Sequence, residues 1–196
     1  MEFINGEPKQ IDYDIKIIMS GKEEEKYIFL ERLIMNDKVS SKLDISFDPI
    51  GFDSKSKCIK FKNKIFRLYI FNYYGIELGY NIIRCSDVFL LFYDAYDRYS
   101  FEKVKNKVKY IYEQYELQNN NFNCILFLIR SKYELSLKSQ NDDYVSDEEA
   151  MEYADKNNML FTHISSFEKY DSGIKNLLNL ILIEYLRRNK KIIKLK

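Results

Sequence analysis

Short runs of apolar residues alternate with amphipathic stretches along this chain. Four apolar runs predict strands: Asp12–Met19, Val88–Tyr93, Cys124–Ile129 and Leu160–Ile164. Val88–Tyr93 and Cys124–Ile129 are typical of buried strands. Two more runs alternate apolar with polar residues on either side of a predicted turn at Asn63–Lys64: Lys57–Lys62 and Ile65–Phe71. The pattern therefore predicts six strands, two of which form a hairpin.

The stretches between the strands repeat apolar residues at helical spacing. The longer ones are about Lys26–Met35, Ser100–Leu117, Ser146–Asp155 and Gly173–Arg188. Ser100 is expected to cap the second helix, and Ser146 with Glu149 makes a capping box for the third. Helices between strands predict an α/β domain with a six-stranded, mostly parallel sheet, one antiparallel edge strand and helices on both faces. We assign this domain to residues 12–188, between an N-terminal extension (1–11) and a short basic C-terminal tail (189–196).

Composition excludes some classes of partner and site, but it indicates no particular function. The 196 residues are 46% hydrophobic and 31% charged, and the net charge of +1 gives no field that would attract nucleic acid or an anionic membrane. Cys58, Cys85 and Cys124 lack the spacing of metal ligands, so free thiols in a reducing compartment are expected. The polar N-terminus and the cysteine-free tail predict a cytoplasmic protein without a stable membrane anchor.

The segment after the first strand has the frame of a phosphate-binding loop but not its composition. Such a loop reads G-x-x-x-x-G-K-[ST] between a strand and a helix. Here Ser20 and Glu25 stand at the glycine positions, Lys26 at the lysine and Tyr27 at the hydroxyl residue. The run Glu23–Glu25 opposes a polyanion, and acidic residues in a first helical turn also satisfy the helix dipole by themselves. A self-capped helix start is therefore an alternative to a phosphate site.

Three further segments carry a resemblance to a known family. They are residues 92–101 (FYDAYDRYSF), residues 145–155 (VSDEEAMEYAD) and residues 50–53 (IGFD). Taken in their order along the chain, these three segments resemble segments of the Rab branch of the Ras superfamily of small GTPases. The resemblance extends from about Asp14 to Arg188 and implies the fold of a small GTPase domain, which is a P-loop NTPase-like fold.

The positions that would hold magnesium in this family are altered together. Pro49 stands where the first switch has a threonine, and Asn72 stands at the aspartate of the second switch. Ile76 replaces the glutamine that orients the attacking water. Magnesium requires hard oxygen ligands, so we expect no metal site, no catalytic residue and no hydrolysis by the usual route.

Nucleotide binding without a normal magnesium site stays open at this stage. The base-reading motif aligns with Ser131–Glu134, and a second base-contacting loop aligns with Ser165–Ser166. By the resemblance, a vestigial or weak site for GTP or GDP would use Lys26, Tyr27, Lys132, Glu134, Ser165 and Ser166. The alternative is that these lysines are ordinary solvated residues in a lysine-rich chain.

A partner-binding face is also implied by the resemblance. In the family, the strand pair and the second switch bind protein partners, and aromatic residues are enriched in interfaces. The corresponding residues here are Ile50, Phe52, Tyr69, Tyr73, Tyr74 and Tyr80. Packing of the tyrosines in the core is the competing interpretation. Asp94 and Asp97 are predicted to cap a loop, and the lone His163 has no candidate catalytic partner.

Two hypotheses follow. The first is a Rab-like pseudo-GTPase that works as a protein-binding module, in vesicle trafficking or as a complex subunit, without magnesium binding or hydrolysis. The second is an atypical small GTPase that still binds GTP or GDP, with slow or absent hydrolysis.

Overall fold

One seven-stranded sheet organises the chain. The structure is a computed structural model that describes residues 1–4, 6, 8–23, 26–27, 29–30, 33, 52–73, 79–117, 123–132, 143–165 and 172–194, without the side chains of 52–53, 132, 165, 172 and 190–194. The strands are β1 (Glu2–Ile4), β2 (Tyr13–Gly21), β3 (Phe52–Phe61), β4 (Lys64–Tyr73), β5 (Val88–Asp94), β6 (Ile125–Lys132) and β7 (Leu160–Ser165). Their spatial order is β1-β3-β4-β2-β5-β6-β7.

The sheet is mostly parallel, which confirms the predicted fold class. β4, β2, β5, β6 and β7 run parallel to one another, and β3 runs antiparallel to both β4 and β1. The sheet has one strand more than expected because Glu2–Ile4, which we had assigned to the extension, pairs with Cys58–Lys60. β3 is therefore the second strand from the edge.

Helices cover both faces of this sheet. They are α1 (Tyr80–Arg84), α2 (Arg98–Glu116), α3 (Asp147–Lys156) and α4 (Ser172–Lys194). Residues 23, 26, 27, 29, 30 and 33 are also helical, and we refer to them as the first helical segment. α4 continues to Lys194 and so includes most of the residues that we had assigned to a tail.

The helix caps match the sequence in one case and differ in the other. Ser146 caps α3 as predicted, because its Oγ accepts a hydrogen bond from the Glu149 N–H (3.2 Å). The carboxylate of Glu149 instead accepts two hydrogen bonds from Arg98, at 2.8 and 2.9 Å. The expectation that Ser100 caps α2 was wrong: the helix begins earlier, and Asp97 Oδ1 accepts from the Ser100 N–H (3.1 Å).

The central strands are buried on both faces, as their continuous apolar runs predicted. Leu90 and Phe92 of β5 join a core with the first helical segment and α4. Phe89 and Leu91 join a second core with α1, α2 and α3. Both helical layers thus fix β5 in the middle of the sheet. The carboxyl ends of β2, β5, β6 and β7 consequently meet at one edge, where ligands of such sheets bind.

The hairpin between β3 and β4 turns one residue earlier than predicted. Lys62 (φ 47°) and Asn63 (φ 60°) form a two-residue loop, and Phe61 faces Lys64 across it. Positive φ at both loop residues gives a twist that matches the flanking strands. This register places Phe52 opposite Tyr73.

The three cysteines are free, as predicted. Cys85 is exposed, whereas Cys58 and Cys124 are buried. The Cys124 Sγ lies 2.8 Å from the Tyr115 hydroxyl, and burial raises the pKa of the Cys124 thiol to about 11.

Candidate functional site

The strand β2 passes into the first helical segment with almost no loop between them. Gly21 is the last residue of β2, and the Lys22 N–H donates to the Phe92 carbonyl (3.0 Å). The Lys26 N–H in turn donates to the Lys22 carbonyl (3.2 Å), as in a helix. A phosphate cradle needs backbone N–H groups that point at the ligand. The N–H groups of Lys22 and Lys26 are used inside the chain instead.

The glycine of this transition is Gly21, one residue after the position that the motif alignment indicated. Ser20 lies within β2, is buried and faces Leu91. Gly21 has φ +113°, and a Cβ atom there would lie 2.0 Å from the Phe92 carbonyl oxygen. Only glycine fits this close approach of two backbones.

Lys26 is a buried cation. Its side chain has no solvent exposure, and its Nζ donates to the Tyr73 carbonyl (2.7 Å) and to Glu23 Oε1 (2.9 Å). Burial lowers the pKa of the Lys26 ammonium, and the Glu23 carboxylate acts in the opposite direction. The lysine that would reach a phosphate in the family is thus held by groups of its own chain.

A second ion pair joins this segment to α2. Lys22 Nζ lies 2.8 Å from Asp97 Oδ2, while the other oxygen of Asp97 caps the helix. Burial raises the pKa of the Asp97 carboxyl, but the hydrogen bonds from Lys22 and from the Ser100 N–H outweigh it and hold the pKa below its usual value. The predicted capping role of Asp97 is confirmed, and Asp94 likewise accepts from the Tyr96 N–H (2.9 Å).

A small cleft lies beside Glu23 and the Lys22–Asp97 ion pair. It has a volume of about 280 Å³ and is lined by Gly21, Lys22, Glu23, Asp97, Tyr99, Ser100 and Lys103. The lysines and carboxylates in this wall largely balance each other in charge. In the sequence, Glu23 is one of three consecutive acidic residues. The i,i+3 spacing of Glu23 and Lys26 is the signal that would have identified the pair.

The remaining predicted nucleotide-site residues are placed only in part. Tyr27 is 46% exposed on the first helical segment. Lys132 and Ser165 face each other at the ends of β6 and β7, but their side chains lie outside the described part of the chain. Glu134 and Ser166 lie wholly outside it. The sheet thus brings Lys132 and Ser165, where the two predicted base-reading segments meet it, to the same edge.

Ser131 and Asn72 stand at two motif positions of the family, and both are buried. The Ser131 hydroxyl donates to the Tyr93 carbonyl (2.9 Å), so it points into the domain. Asn72 is 1% exposed and lies opposite Met19 in the sheet.

The predicted partner-binding face is split by the structure. Tyr73 is only 8% exposed and belongs to the core, with the Lys107 ammonium 5.5 Å from its ring centroid. The core interpretation thus holds for this residue. Tyr69 and Tyr80 are half-buried, and the Arg67 guanidinium lies over the Tyr69 ring (4.9 Å). Ile50, Tyr74 and the side chain of Phe52 fall outside the described residues.

A larger groove, which the sequence analysis did not predict, lies near this face. Its volume is about 470 Å³, and it lies between the sheet and α1, lined by Lys16, Ile18, Ser54, Phe71, Asn81, Ile82, Cys85 and Ser86. Ile18 and Phe71 face each other in the sheet and form its apolar floor. The signal in the sequence was the alternation of residues along Ile65–Phe71. The structure shows that alternate residues of this run are only half-buried.

Two negative findings hold for the described part of the chain. No three His, Cys, Asp or Glu side chains come together there as they would around a metal ion. None of the helices described is both long enough and apolar enough to span a membrane.

The close approach at Gly21 generates a stability prediction. Gly21→Ala should lower the free energy of unfolding by about 2 kcal/mol or more, because the substitution adds a clash to a strained φ. Urea denaturation measures the loss. Gly79→Ala is the matched control, since a Cβ at Gly79 meets nothing within 4 Å. Equal stability of the two variants would contradict the geometry.

The buried ammonium of Lys26 generates a pH prediction. At neutral pH the cost of burying the charge is present in full, because the folded and unfolded states both hold the proton. As pH rises through the lowered pKa toward 10.5, the folded state loses its proton first, so stability rises. We expect wild-type protein to gain free energy of unfolding relative to Lys26→Met over this range.

Urea titrations at several pH values measure the difference. Lys156→Met is the control, because its exposed amine pairs only with a surface carboxylate among the contacts described. A wild-type free energy of unfolding that stays constant or falls relative to that of Lys26→Met as pH rises toward 10.5 would refute the assignment.

Comparison with known proteins places the chain in a family. The model of the Ras family matches residues 34–185, which is most of the chain. The match begins after the segment 20–27 and includes β3 through most of α4. No curated protein matches the chain. Both the matched length and the sheet topology lead to one conclusion: the chain belongs to the Ras family and contains a small GTPase domain.

Proposed function

We propose that this chain is a Rab-like pseudo-GTPase: a rigid small GTPase domain that binds a protein partner in the cytoplasm and does not cycle between nucleotide states. The observation that carries the proposal is the position of the Lys26 ammonium, which has no solvent exposure and bonds to Tyr73 and Glu23. A role in vesicle trafficking or as a complex subunit belongs to the same proposal and rests on the resemblance to the Rab branch.

The contacts of Lys26 oppose a phosphate ligand. To reach a phosphate, the amine would have to leave the Tyr73 carbonyl, and a hydrogen bond to a charged group contributes about 1.5–3 kcal/mol. Such a loss lowers affinity about 10- to 150-fold. The Glu23 carboxylate adds repulsion, which for two unit charges about 4 Å apart is about 4 kcal/mol at an effective dielectric of about 20, less where solvent screens it.

Magnesium–nucleotide chemistry is a poor fit to the described residues. Tyr27 offers a phenol where the family has an aliphatic hydroxyl that binds magnesium, and Asn72 offers an amide in place of a carboxylate. Asn72 is also buried within β4. Hydrolysis in this fold depends on the metal ion and on a positioned water. The proposal therefore assigns the chain no catalytic residue.

The hydrogen bond from Lys26 to Tyr73 also supports the proposal that the domain keeps one conformation. Tyr73 is the last residue of β4, at the point where the chain enters the segment aligned with the second switch. Its carbonyl is bonded to Lys26, and its ring lies under Lys107. This strand end is thus held from two sides by side chains of the protein itself. A nucleotide-dependent switch would need this position to differ between two states.

The partner is proposed to bind the face of the sheet that carries Tyr69 and Phe71. Tyr69 and Phe71 are half-buried on β4, and Ser54 of β3 beside them is exposed. Such a mixture of aromatic and polar residues is typical of protein interfaces. Tyr73 no longer belongs to the proposed contact residues, because a substitution there would disturb the core.

Titration calorimetry with GTP and GDP, with and without magnesium, tests the loss of nucleotide binding. The expected result is no binding in the micromolar range for any of the four combinations, because the phosphate-binding amine is already engaged. Micromolar or tighter binding would favour the rival, an atypical small GTPase that retains GTP or GDP. Protein freed of copurified nucleotide by denaturation and refolding is the control.

A comparison of surface tyrosines tests the partner face. Tyr69→Ala should lose a protein that wild type retains in quantitative affinity purification, while its thermal unfolding stays close to wild type because Tyr69 is only half-buried. Tyr99→Ala is the matched control, since Tyr99 is 69% exposed on α2. Identical sets of retained proteins for all three would show that the face is wrongly placed.

A further inference from the structure

We infer that Glu23 is a built-in anion that takes the place of a phosphate group at Lys26, and that this carboxylate excludes phosphate ligands from the site. The inference rests on the proposed function, since it assigns a cause to the loss of nucleotide binding. It identifies one residue as the determinant, out of the many that differ from the family.

Glu23 is the solvent-exposed partner of the buried Lys26. The Lys26 side chain has no exposure, while the Glu23 side chain, which lies 2.9 Å away, is 52% exposed. Lys26 reaches the Tyr73 carbonyl on its inner side, within the second core. The carboxylate therefore covers the amine at the point where an external anion would have to approach.

The cleft beside Glu23 is suited to an anion once this carboxylate is neutral. Its wall contains Lys22 and Lys103 in addition to Glu23 and Asp97. Lys22 Nζ lies 2.8 Å from Asp97 Oδ2, and Lys103 belongs to the same wall. Burial raises the pKa of the Asp97 carboxyl, and the charges of Lys22 and Lys103 act in the opposite direction. With Glu23 neutral, the residues that line the cleft would hold two ammonium groups, those of Lys22 and Lys103, and one carboxylate, that of Asp97. A wall with this excess of positive charge favours a polyphosphate.

Glu23 also keeps the buried amine charged. Its hydrogen bond and its charge raise the pKa of Lys26 against the effect of burial. Without Glu23, the ammonium either loses its proton more readily or recruits another anion. A phosphate oxygen satisfies the same requirement as a carboxylate oxygen, because both accept a charge-assisted hydrogen bond.

The test compares anion binding by Glu23→Gln and wild type. The probe is inorganic tripolyphosphate, measured by titration calorimetry, because it contains the phosphate chain without the base. Glu23→Gln keeps the size of the side chain and should bind tripolyphosphate about tenfold or more tighter than wild type, as expected from the loss of one close negative charge. The double variant Glu23→Gln/Lys26→Met should lose the gain.

Glu102→Gln is the matched control. Glu102 pairs with Lys105 at the same i,i+3 spacing, with a distance of 2.7 Å, and this pair lies on the surface of α2. The substitution changes the net charge by the same amount, so a general charge effect would appear in both variants. Equal affinity of Glu23→Gln and Glu102→Gln for tripolyphosphate would overturn the inference.

The titration of Lys26 provides a second readout that does not depend on calorimetry. Carbon-13 NMR of the Lys26 side chain should show a pKa below the wild-type value in Glu23→Gln, with recovery when tripolyphosphate is added. No change in either step would also overturn the inference. Glu23→Ala serves in both measurements if Glu23→Gln folds poorly.

The outcomes separate this inference from the proposed function. If wild type binds GTP or GDP in the micromolar range, the pseudo-GTPase proposal fails, and the comparison of Glu23→Gln with Glu102→Gln still decides the role of Glu23. If wild type binds no nucleotide and Glu23→Gln gains no affinity for tripolyphosphate, the inference alone fails.

Discussion

The ammonium of Lys26 is the constraint around which this end of the domain is arranged. A buried charge is tolerated only when it is paired and hydrogen-bonded, and here a carbonyl and a carboxylate supply these contacts. The carbonyl comes from the end of β4 and the carboxylate from the start of the first helical segment. One charge thus connects two elements that are far apart in the chain, and breaking either contact would leave a buried cation partly unsatisfied.

The close backbone contact at Gly21 makes this arrangement possible. Because β2 stays paired with β5 up to Gly21, the helix begins immediately afterwards, and Lys26 lies one turn into it. A longer loop would carry the lysine away from Tyr73 and open space for a ligand. The short connection therefore joins β2 directly to the first helical segment, next to a mostly parallel sheet.

Much of the fold was predictable because its core strands are continuous apolar runs. Phe89 and Leu90 lie on opposite faces and are both buried, and such a pattern has few alternatives in an α/β domain. The strand at Glu2–Ile4 was not predictable, since three residues carry no periodicity. The burial of Lys26 was not predictable either, because an isolated lysine in a sequence is expected at the surface. The exposure of Tyr73 was not predictable either, because the register of β4 in the sheet decides whether a side chain faces the core.

Cys85 places an exposed thiol, which can be labelled chemically, in the groove beside α1. It is the only exposed thiol among the three in the chain, and it is one of the residues that line that groove. Cys124 is protected by burial and by its raised pKa, since thiolates are the reactive form. A fluorophore or spin label would therefore attach at a single position without any prior mutation, and its signal would report directly when another molecule covers the neighbouring surface.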